Sequence, residues 1–194
     1  GVTFNIHHCC NSAGTLELPD FHREMIRPGI IQYGYDASKE VLVTGTKIKP
    51  VMSLRCCITH LKTIYEGDCV GYGRHFTAKG PTKIATLPIG YADGYNRALS
   101  SKIDVIVHGV RAHQVGNICM DQCMIDVSHI PNVKVGDEVV LFGEQGSECV
   151  SADEIADTCH TIIHEITCNI NRRVPRVYVQ NGKIVQRLEY LTQS

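Results

Sequence analysis

From residue 48 onward the chain repeats one pattern: a short segment rich in β-branched and other apolar residues, followed by a turn of Gly, Pro, Asn or Asp. This alternation predicts a succession of short β-strands. Asn181-Gly182, which lies between two apolar segments, is a strong signal of a two-residue hairpin turn. We therefore predict a mainly β domain, with strands in Val51 to Ile64, Lys83 to Ile89, Ile103 to Val107, Ile118 to Val127, Glu138 to Phe142 and Val174 to Val179.

The first part of the chain follows a different pattern. Two short strand-like pieces, Val2 to Ile6 and Gly29 to Tyr33, flank a polar, helix-compatible segment from Pro19 to Ile26. Gly34 to Gly45 is interpreted as a linker. We therefore expect an α/β remnant in residues 1–46, followed by the β domain.

Composition excludes several classes of protein. A formal net charge of −1 over 194 residues gives no general attraction to nucleic acid or to anionic membranes. No run of about 18 apolar residues is present, so no segment is suited to span a bilayer. The ten cysteines include adjacent pairs, Cys9-Cys10 and Cys56-Cys57, which suit disulfide geometry poorly. We expect free thiols in a reducing, cytoplasmic environment. Because the chain begins Gly1-Val2 without a methionine or leader, we also expect a fragment.

The region from Ser151 to Cys168 offers one clear helix and one candidate metal site. Ser151 to about His160 predicts a helix, because Ser151 can cap it and Glu154 follows three residues later. Beyond it, Cys159-His160-x3-His164-x3-Cys168 has the i, i+4 spacing at which histidines on a helix share a metal. Thr161-Ile162-Ile163 is a poor helix interior, however, and no His-Glu-x2-His motif is present. We therefore predict no metal site.

Two segments place polar side chains at the ends of predicted strands, where folds commonly carry chemistry. In Ile84-Ala-Thr-Leu-Pro-Ile-Gly-Tyr-Ala-Asp-Gly-Tyr95, an apolar strand runs into a turn that displays Tyr91 beside Asp93. A tyrosine in a Gly-x3-Gly turn is by itself usually a packed turn residue, and a methionine usually fills a core. The second segment, Val115-Gly-Asn-Ile-Cys-Met-Asp-Gln-Cys-Met-Ile-Asp126, displays Cys119, Met120 and Asp121.

Two further polar turns lie near the beginning of the chain. His8-Cys-Cys-Asn-Ser-Ala-Gly14 ends in a small-residue turn, whose hydroxyl and backbone N–H groups can hold a phosphate. The same pattern also fits an ordinary capped turn. Arg27-Pro-Gly-Ile30 places a cation before two exposed N–H groups. From spacing, both alternatives stay open.

Together these four blocks resemble the C-terminal half of fold-type III alanine racemases, which use pyridoxal 5′-phosphate (PLP). The resemblance covers essentially the whole chain. It implies an alanine racemase C-terminal β-domain in residues 47–194, preceded by the last strand and helix elements of a PLP-binding TIM barrel in residues 1–46. It also implies a homodimer with shared active sites that interconverts L- and D-alanine by a two-base mechanism, supplying D-amino acid for peptidoglycan.

The resemblance also implies roles for individual residues. Tyr91 is one of the two bases, and it acts in the partner subunit's site on the substrate face opposite the lysine that forms a Schiff base with PLP. The Arg27 guanidinium hydrogen-bonds the pyridine nitrogen and, because it stays protonated, gives up no proton. The phosphate side of the PLP site is implied for Asn11, Ser12, Gly29 and Ile30, and the substrate carboxylate for Cys119, Met120 and Asp121.

Three features depart from the family pattern. No lysine here lies in a Lys-Ala-Asn-Ala-Tyr-Gly block, so we expect this chain by itself to be inactive. The family segment Thr-Ile-Asn-Tyr-Glu reads Thr161-Ile-Ile-His-Glu165, which puts the shorter His164 where a tyrosine touches the PLP phosphate. Asn117 likewise replaces an arginine found in many members. A smaller polar residue leaves room for a substrate hydroxyl, so we hypothesise some serine racemisation.

Two alternatives to an alanine racemase therefore stay open. One is a serine, or serine/alanine, racemase of the kind found in vancomycin-resistance operons; the resemblance then allows a membrane anchor elsewhere, with this part in the cytoplasm. The other is a non-catalytic β-domain for dimerisation or binding. Such a module would not need Tyr91, Arg27 and Met120 together. Arg172-Arg-Val-Pro-Arg176, similar to the family's Arg-Val-Pro-Arg block, is interpreted as supporting structure.

Overall fold

The computed structural model describes residues 1–37 and 47–191. Two compact units are present, Gly1–Met52 and Ser53–Ser194. Most of the linker predicted from Gly34 to Gly45 lies outside the described residues.

The first unit is built from short helices. Helix α1 (Ser12–Glu17) begins after Asn11, whose side chain accepts a hydrogen bond from the Gly14 backbone N–H. Short 3₁₀ helices follow at Pro19–Phe21 and Ile30–Tyr33. The strand-like pieces predicted at Val2 to Ile6 and Gly29 to Tyr33 were therefore wrong, since the described part of this unit contains no strand. A strand needs a neighbour to satisfy its backbone groups, whereas a helical turn satisfies them within the segment.

The second unit is mainly β, as predicted, and its strands pair antiparallel throughout the described residues. Most of its core comes from a large sheet in which β9, β6, β7, β8 and β5 are neighbours in that order, flanked by β1 and β2. The strands are β1 (Leu54–Cys57), β2 (His60–Ile64), β3 (Cys69–Val70), β4 (Phe76–Thr77), β5 (Thr82–Leu87), β6 (Asp104–Val107), β7 (Val110–Val115), β8 (Cys123–Asp126), β9 (Glu138–Gln145), β10 (Glu148–Val150), β11 (Arg176–Gln180) and β12 (Lys183–Leu188).

The pairing of β5 with β8 determines where the loops of this sheet meet. Leu87, the last residue of β5, pairs with Cys123, the first residue of β8. Because the two strands run in opposite directions, the C-terminal end of β5 lies beside the N-terminal end of β8. The residues after Leu87 and those before Cys123 therefore lie side by side. The prediction of strand from Ile118 was wrong, because residues 118–122 form the loop that leads into β8.

Two helices lie between β10 and β11. Helix α2 (Ala152–Thr158) confirms the predicted helix and its cap, since the Ser151 hydroxyl accepts a hydrogen bond from the Glu154 N–H at 3.1 Å. Helix α3 (Ile163–Asn169) was not predicted. The β-branched Thr161 and Ile162 precede it instead of lying in its interior, so they cost it little.

Candidate active site

The turn after β5, which we call the tyrosine turn (residues 90–94), displays Tyr91. Tyr91–Asp93 form a single 3₁₀ turn that ends at Gly94, whose φ of 101° is left-handed. The Asp93 carboxylate is buried and accepts a hydrogen bond from the Gly90 N–H at 2.9 Å. Asp93 thus closes the turn on itself, while the Tyr91 side chain stays 44% exposed. The backbone of Tyr91 is therefore fixed by the turn, while its side chain is open to solvent at this end of the strands.

The loop before β8, which we call the methionine loop (residues 117–122), lies directly against the tyrosine turn. The Tyr91 N–H donates to the Cys119 carbonyl oxygen and the Ala92 N–H donates to the Met120 carbonyl oxygen, both at 3.0 Å. A Cβ on Gly90 would lie 2.2 Å from the Cys119 oxygen, so a residue with a side chain does not fit there without movement. The contact between turn and loop is thus backbone against backbone.

Met120 is the most exposed apolar residue of the methionine loop, at 54%. The Cys119 N–H is used within the loop, donating to the Gln122 carbonyl oxygen at 2.9 Å. Among the residues that the structure describes, the Met120 N–H has no hydrogen-bond partner. A free backbone donor beside an exposed tyrosine is suited to bind an anionic group such as a carboxylate.

A residue that sequence reasoning left as supporting structure, Arg173, joins the same two segments. Its guanidinium lies 2.5 Å from an Asp121 carboxylate oxygen and 3.5 Å from an Asp93 carboxylate oxygen. The Asp121 hydrogen bond and then the Asp93 charge raise the pKa of Arg173 above its ordinary value, so it is a cation at every working pH. The Arg-Val-Pro-Arg block was the signal that pointed to it, without indicating its partners.

In the first unit, the residues predicted to hold a phosphate lie together. The Ser12 hydroxyl accepts a hydrogen bond from the Gly29 N–H at 2.9 Å. The Arg27 backbone N–H donates to the Cys10 carbonyl oxygen at 2.9 Å. These bonds connect the segment around Asn11 to the segment that leads into Ile30.

His164 lies in the second unit, on the first turn of α3, where its side chain is exposed. Cys159 ends α2 and His160 follows it with a φ of 55°, so the Cys-His spacing considered for a metal is split between two helices. In residues 1–37 and 47–191, no group of three or more His, Cys, Asp or Glu side chains is arranged to hold a metal ion. The ten cysteines all have free thiols. No helix in the described part of the chain is both long enough and apolar enough to cross a membrane.

An antiparallel sheet that places an exposed tyrosine turn against a neighbouring loop defines a β-domain with a candidate active site at one end of its strands. Residues 51–178 match the family described as "Alanine racemase, C-terminal domain" and residues 1–37 match "Alanine racemase, N-terminal domain". Alanine racemase 1 of Clostridium acetobutylicum is 48% identical over 190 residues, which are 98% of this chain and 49% of that protein. The alanine racemase of Clostridium tetani is 48% identical over 192 residues, which are 98% of this chain and 50% of that protein. The chain therefore belongs to the alanine racemase family.

Solved structures agree with this assignment. The crystal structure of alanine racemase from Bacillus anthracis with bound L-Ala-P superposes with a TM-score of 0.93 at 38% identity, covering 98% of this chain and 49% of that one. Alanine racemase of Clostridium difficile 630 in complex with cycloserine gives a TM-score of 0.88 at 43% identity, covering 95% of this chain and 48% of that one. The chain thus spans about half the length of the relatives it matches.

Proposed function

We propose that this chain is the C-terminal portion of a PLP-dependent racemase that interconverts L- and D-alanine, with Tyr91 as one of its two bases. The observation that carries the proposal is the pairing of the tyrosine turn with the methionine loop, which presents an exposed phenol next to a free backbone N–H. The named activity of the relatives supports the same reaction. A base moves the proton at the Cα of an amino acid, and a backbone donor can hold the substrate carboxylate in place.

The residues of the first unit fit PLP. The Gly29 N–H donates a hydrogen bond to the Ser12 hydroxyl, which keeps its own O–H to donate to a phosphate. With Asn11 and the Ile30 backbone, they would hold the phosphate, while the Arg27 guanidinium would donate to the pyridine nitrogen. PLP, when bound, withdraws electrons from the substrate and so makes the proton on Cα acidic.

Tyr91 and Met120 act on the substrate itself. Tyr91, as its phenolate, takes a proton from Cα on one face and becomes the phenol, which gives a proton back on the same face in the reverse direction. The Met120 N–H, with the backbone of Cys119 and Asp121 around it, donates to the substrate carboxylate and fixes which face of Cα meets the phenol. The second base is the lysine that the resemblance places in the N-terminal region of the family.

The resemblance also supports proposals for the oligomeric state, the position of His164 and the cellular compartment. We place Tyr91 in the active site of a second copy of the protein, so that the enzyme is a homodimer, and we place His164 at the phosphate side of the cofactor. The free thiols fit a reducing compartment, which favours the cytoplasm, where D-alanine would be used for peptidoglycan.

Serine is the second candidate substrate. His164 is exposed on α3 and is shorter than the tyrosine of the family pattern, which leaves room for a hydroxyl on the substrate side chain. If His164 sets this preference, His164→Tyr lowers the serine-to-alanine ratio of kcat/KM. An unchanged ratio would remove serine as a substrate selected by this residue.

The test uses the extended enzyme, meaning this chain joined to the N-terminal half that its relatives carry. Racemisation of L-alanine and L-serine is measured with PLP bound, and Tyr91→Phe is compared with Tyr65→Phe, a second exposed tyrosine outside both turns. We expect Tyr91→Phe to lower kcat about 10²- to 10⁴-fold, the usual contribution of a general base. Tyr65→Phe should be neutral. Turnover of neither amino acid by PLP-loaded enzyme would favour the non-catalytic β-domain.

A further inference from the structure

We propose that Arg173 is a positioning residue that fixes the tyrosine turn against the methionine loop by binding one carboxylate from each. The inference rests on the proposed function, because it assigns Arg173 the task of orienting Tyr91 and Met120. It begins from the two ion pairs of Arg173, to Asp93 of the tyrosine turn at 3.5 Å and to Asp121 of the methionine loop at 2.5 Å. No other cation of the described residues forms an ion pair with either carboxylate.

The two carboxylates need a cation between them. Asp93 is buried at 8% exposure and Asp121 is exposed, and their turns are in backbone contact. Two like charges on adjoining turns repel each other, and a buried carboxylate without a partner is costly. A guanidinium presents several N–H donors in one plane, so it can serve both carboxylates at once, whereas an ammonium acts as a point charge. Arg173 thus converts a repulsion between the turns into an attraction.

Arg173 is itself held from the side of the tyrosine turn. Its backbone N–H donates to the Asn171 side-chain oxygen at 3.0 Å, and the Asn171 N–H donates to the Asp93 carbonyl oxygen at 2.9 Å. A Cβ on Gly94 would lie 2.2 Å from the Asn169 carbonyl oxygen, so the chain leaving α3 also presses closely on the turn. The base of the Arg173 side chain is therefore fixed to the tyrosine turn, and its tip reaches across to the methionine loop.

These observations favour a role in position over a role in stability. Arg173 and Asp121 are both well exposed, and exposed ion pairs add little to the free energy of folding. A small displacement of a catalytic group, by contrast, lowers the rate strongly. We call the two ion pairs of Arg173, to Asp93 and to Asp121, the clamp. Arg173→Lys loosens the clamp but keeps a positive charge beside the buried Asp93, so it should lower the rate and increase local motion of the tyrosine turn while the global stability changes little.

The experiment compares Arg173→Lys with Arg172→Lys in the extended enzyme with PLP bound. Arg172→Lys is the control, because it makes the same chemical change one residue away. The Arg172 guanidinium lies 5.6 Å from the centre of the Tyr190 ring instead of near either turn. We expect Arg173→Lys to lower kcat for alanine about 10- to 100-fold, the effect of a misplacement on the order of 1 Å. The midpoint of urea unfolding should match that of Arg172→Lys, which should retain full activity.

Two single substitutions separate the halves of the clamp. Asp93→Asn keeps an acceptor for the Gly90 N–H and removes the charge facing Arg173, so it should lower kcat more than it raises KM. Asp121→Asn loosens the loop that carries Met120, so it should mainly raise KM for alanine. If Arg173 and its two partners served stability only, both substitutions would shift the unfolding midpoint, and they would not differ in whether kcat or KM changes more.

Hydrogen exchange of the Tyr91 and Ala92 amides makes the result independent of turnover, since both amides donate to the methionine loop. Faster exchange in Arg173→Lys than in Arg172→Lys supports the clamp even when the unsubstituted enzyme racemises nothing, an outcome that would overturn only the proposed function. Unchanged exchange together with an unchanged kcat would overturn the clamp. Unchanged exchange with a lowered kcat would also overturn it, because Arg173 would then act by another route.

Discussion

Gly90→Ala tests the backbone contact on which the candidate site depends. The Gly90 φ of −151° is extended backbone that alanine adopts without strain, so the effect of the substitution comes from the new methyl group. That group would lie 2.2 Å from the Cys119 oxygen, 2.4 Å from the Met120 oxygen and 2.6 Å from the Met120 carbonyl carbon. All three atoms are backbone, so relief requires the turn and the loop to separate by roughly 1 Å or more to reach normal contact distances.

The magnitude follows from that separation. The hydrogen bonds from Tyr91 and Ala92 to the methionine loop are both 3.0 Å long, and an opening of that size stretches them beyond a useful length. Each bond contributes about 1 kcal/mol net, and overpacking of a tight site typically costs about 1–3 kcal/mol. Replacing glycine also removes freedom from the unfolded chain, which stabilises by about 0.4–1 kcal/mol. We expect Gly90→Ala to lower the free energy of unfolding by about 2–5 kcal/mol.

The matched control is Gly80→Ala. A Cβ at residue 80 meets no heavy atom within 4 Å, and its backbone is not left-handed, so this substitution should be neutral or slightly stabilising. Urea unfolding of the two variants compares their stability, and hydrogen exchange at Tyr91 and Ala92 locates the change. Equal stability of the two variants, with equal protection of those amides, would refute the reasoning and show that turn and loop are free to separate.

Two further predictions concern groups whose pKa values are shifted. Burial raises the pKa of Cys56 to about 12 and raises that of Cys123 well above its ordinary value, so brief alkylation at pH 8 followed by mass spectrometry should leave both thiols unmodified while labelling the exposed Cys69. Early labelling of Cys123 would contradict its burial. The Lys134 backbone N–H, with the nearby His108, holds the pKa of Asp137 below its ordinary value. Its stabilising contribution is therefore fully present above the ordinary aspartate pKa and is lost as pH falls through the lowered one. Asp137→Asn should destabilise the chain at pH 7 and progressively less in acid, measured by unfolding across that range. If the difference in unfolding free energy between Asp137→Asn and the unsubstituted chain stayed constant with pH, the lowered pKa of Asp137 would not be its cause.

The parts of the fold that sequence predicted are those encoded locally. The hairpin of β11 and β12 has Asn181 and Gly182 at φ of 52° and 73°, the left-handed pair that a two-residue turn of this kind requires. The cap of α2 is likewise a contact between residues three apart. Such features need no knowledge of the rest of the chain, because the residues that make them lie within one turn.

The strand β7 shows why other elements were missed. Arg111 and His113 alternate with Ala112, as a strand predicts, but Gln114 breaks the pattern, because it is polar and nevertheless fully buried. The structure explains the burial: the Gln114 amide donates to the carbonyl oxygens of Val115 and Gly116 and accepts from the Ser101 N–H. Burial of a polar side chain becomes affordable only once these partners are in place, and none of them can be inferred from the pattern of apolar residues.

The residues of the candidate site likewise differ in whether local sequence or long-range contacts mark them. Tyr91 was predicted as a site residue because it follows a strand, and Met120 because it precedes one; the pairing of Leu87 with Cys123 brings these two segments together. Arg173 lies 52 residues from Asp121, on a segment that reaches the site only after α3, a helix that the β-branched residues before it conceal. The Arg-Val-Pro-Arg block begins at Arg173, but nothing in that block indicates that its guanidinium pairs with Asp93 and Asp121. A residue at the end of a strand is marked by the local pattern, whereas Arg173 is distinguished by its long-range ion pairs with Asp93 and Asp121, and only a structure shows those contacts.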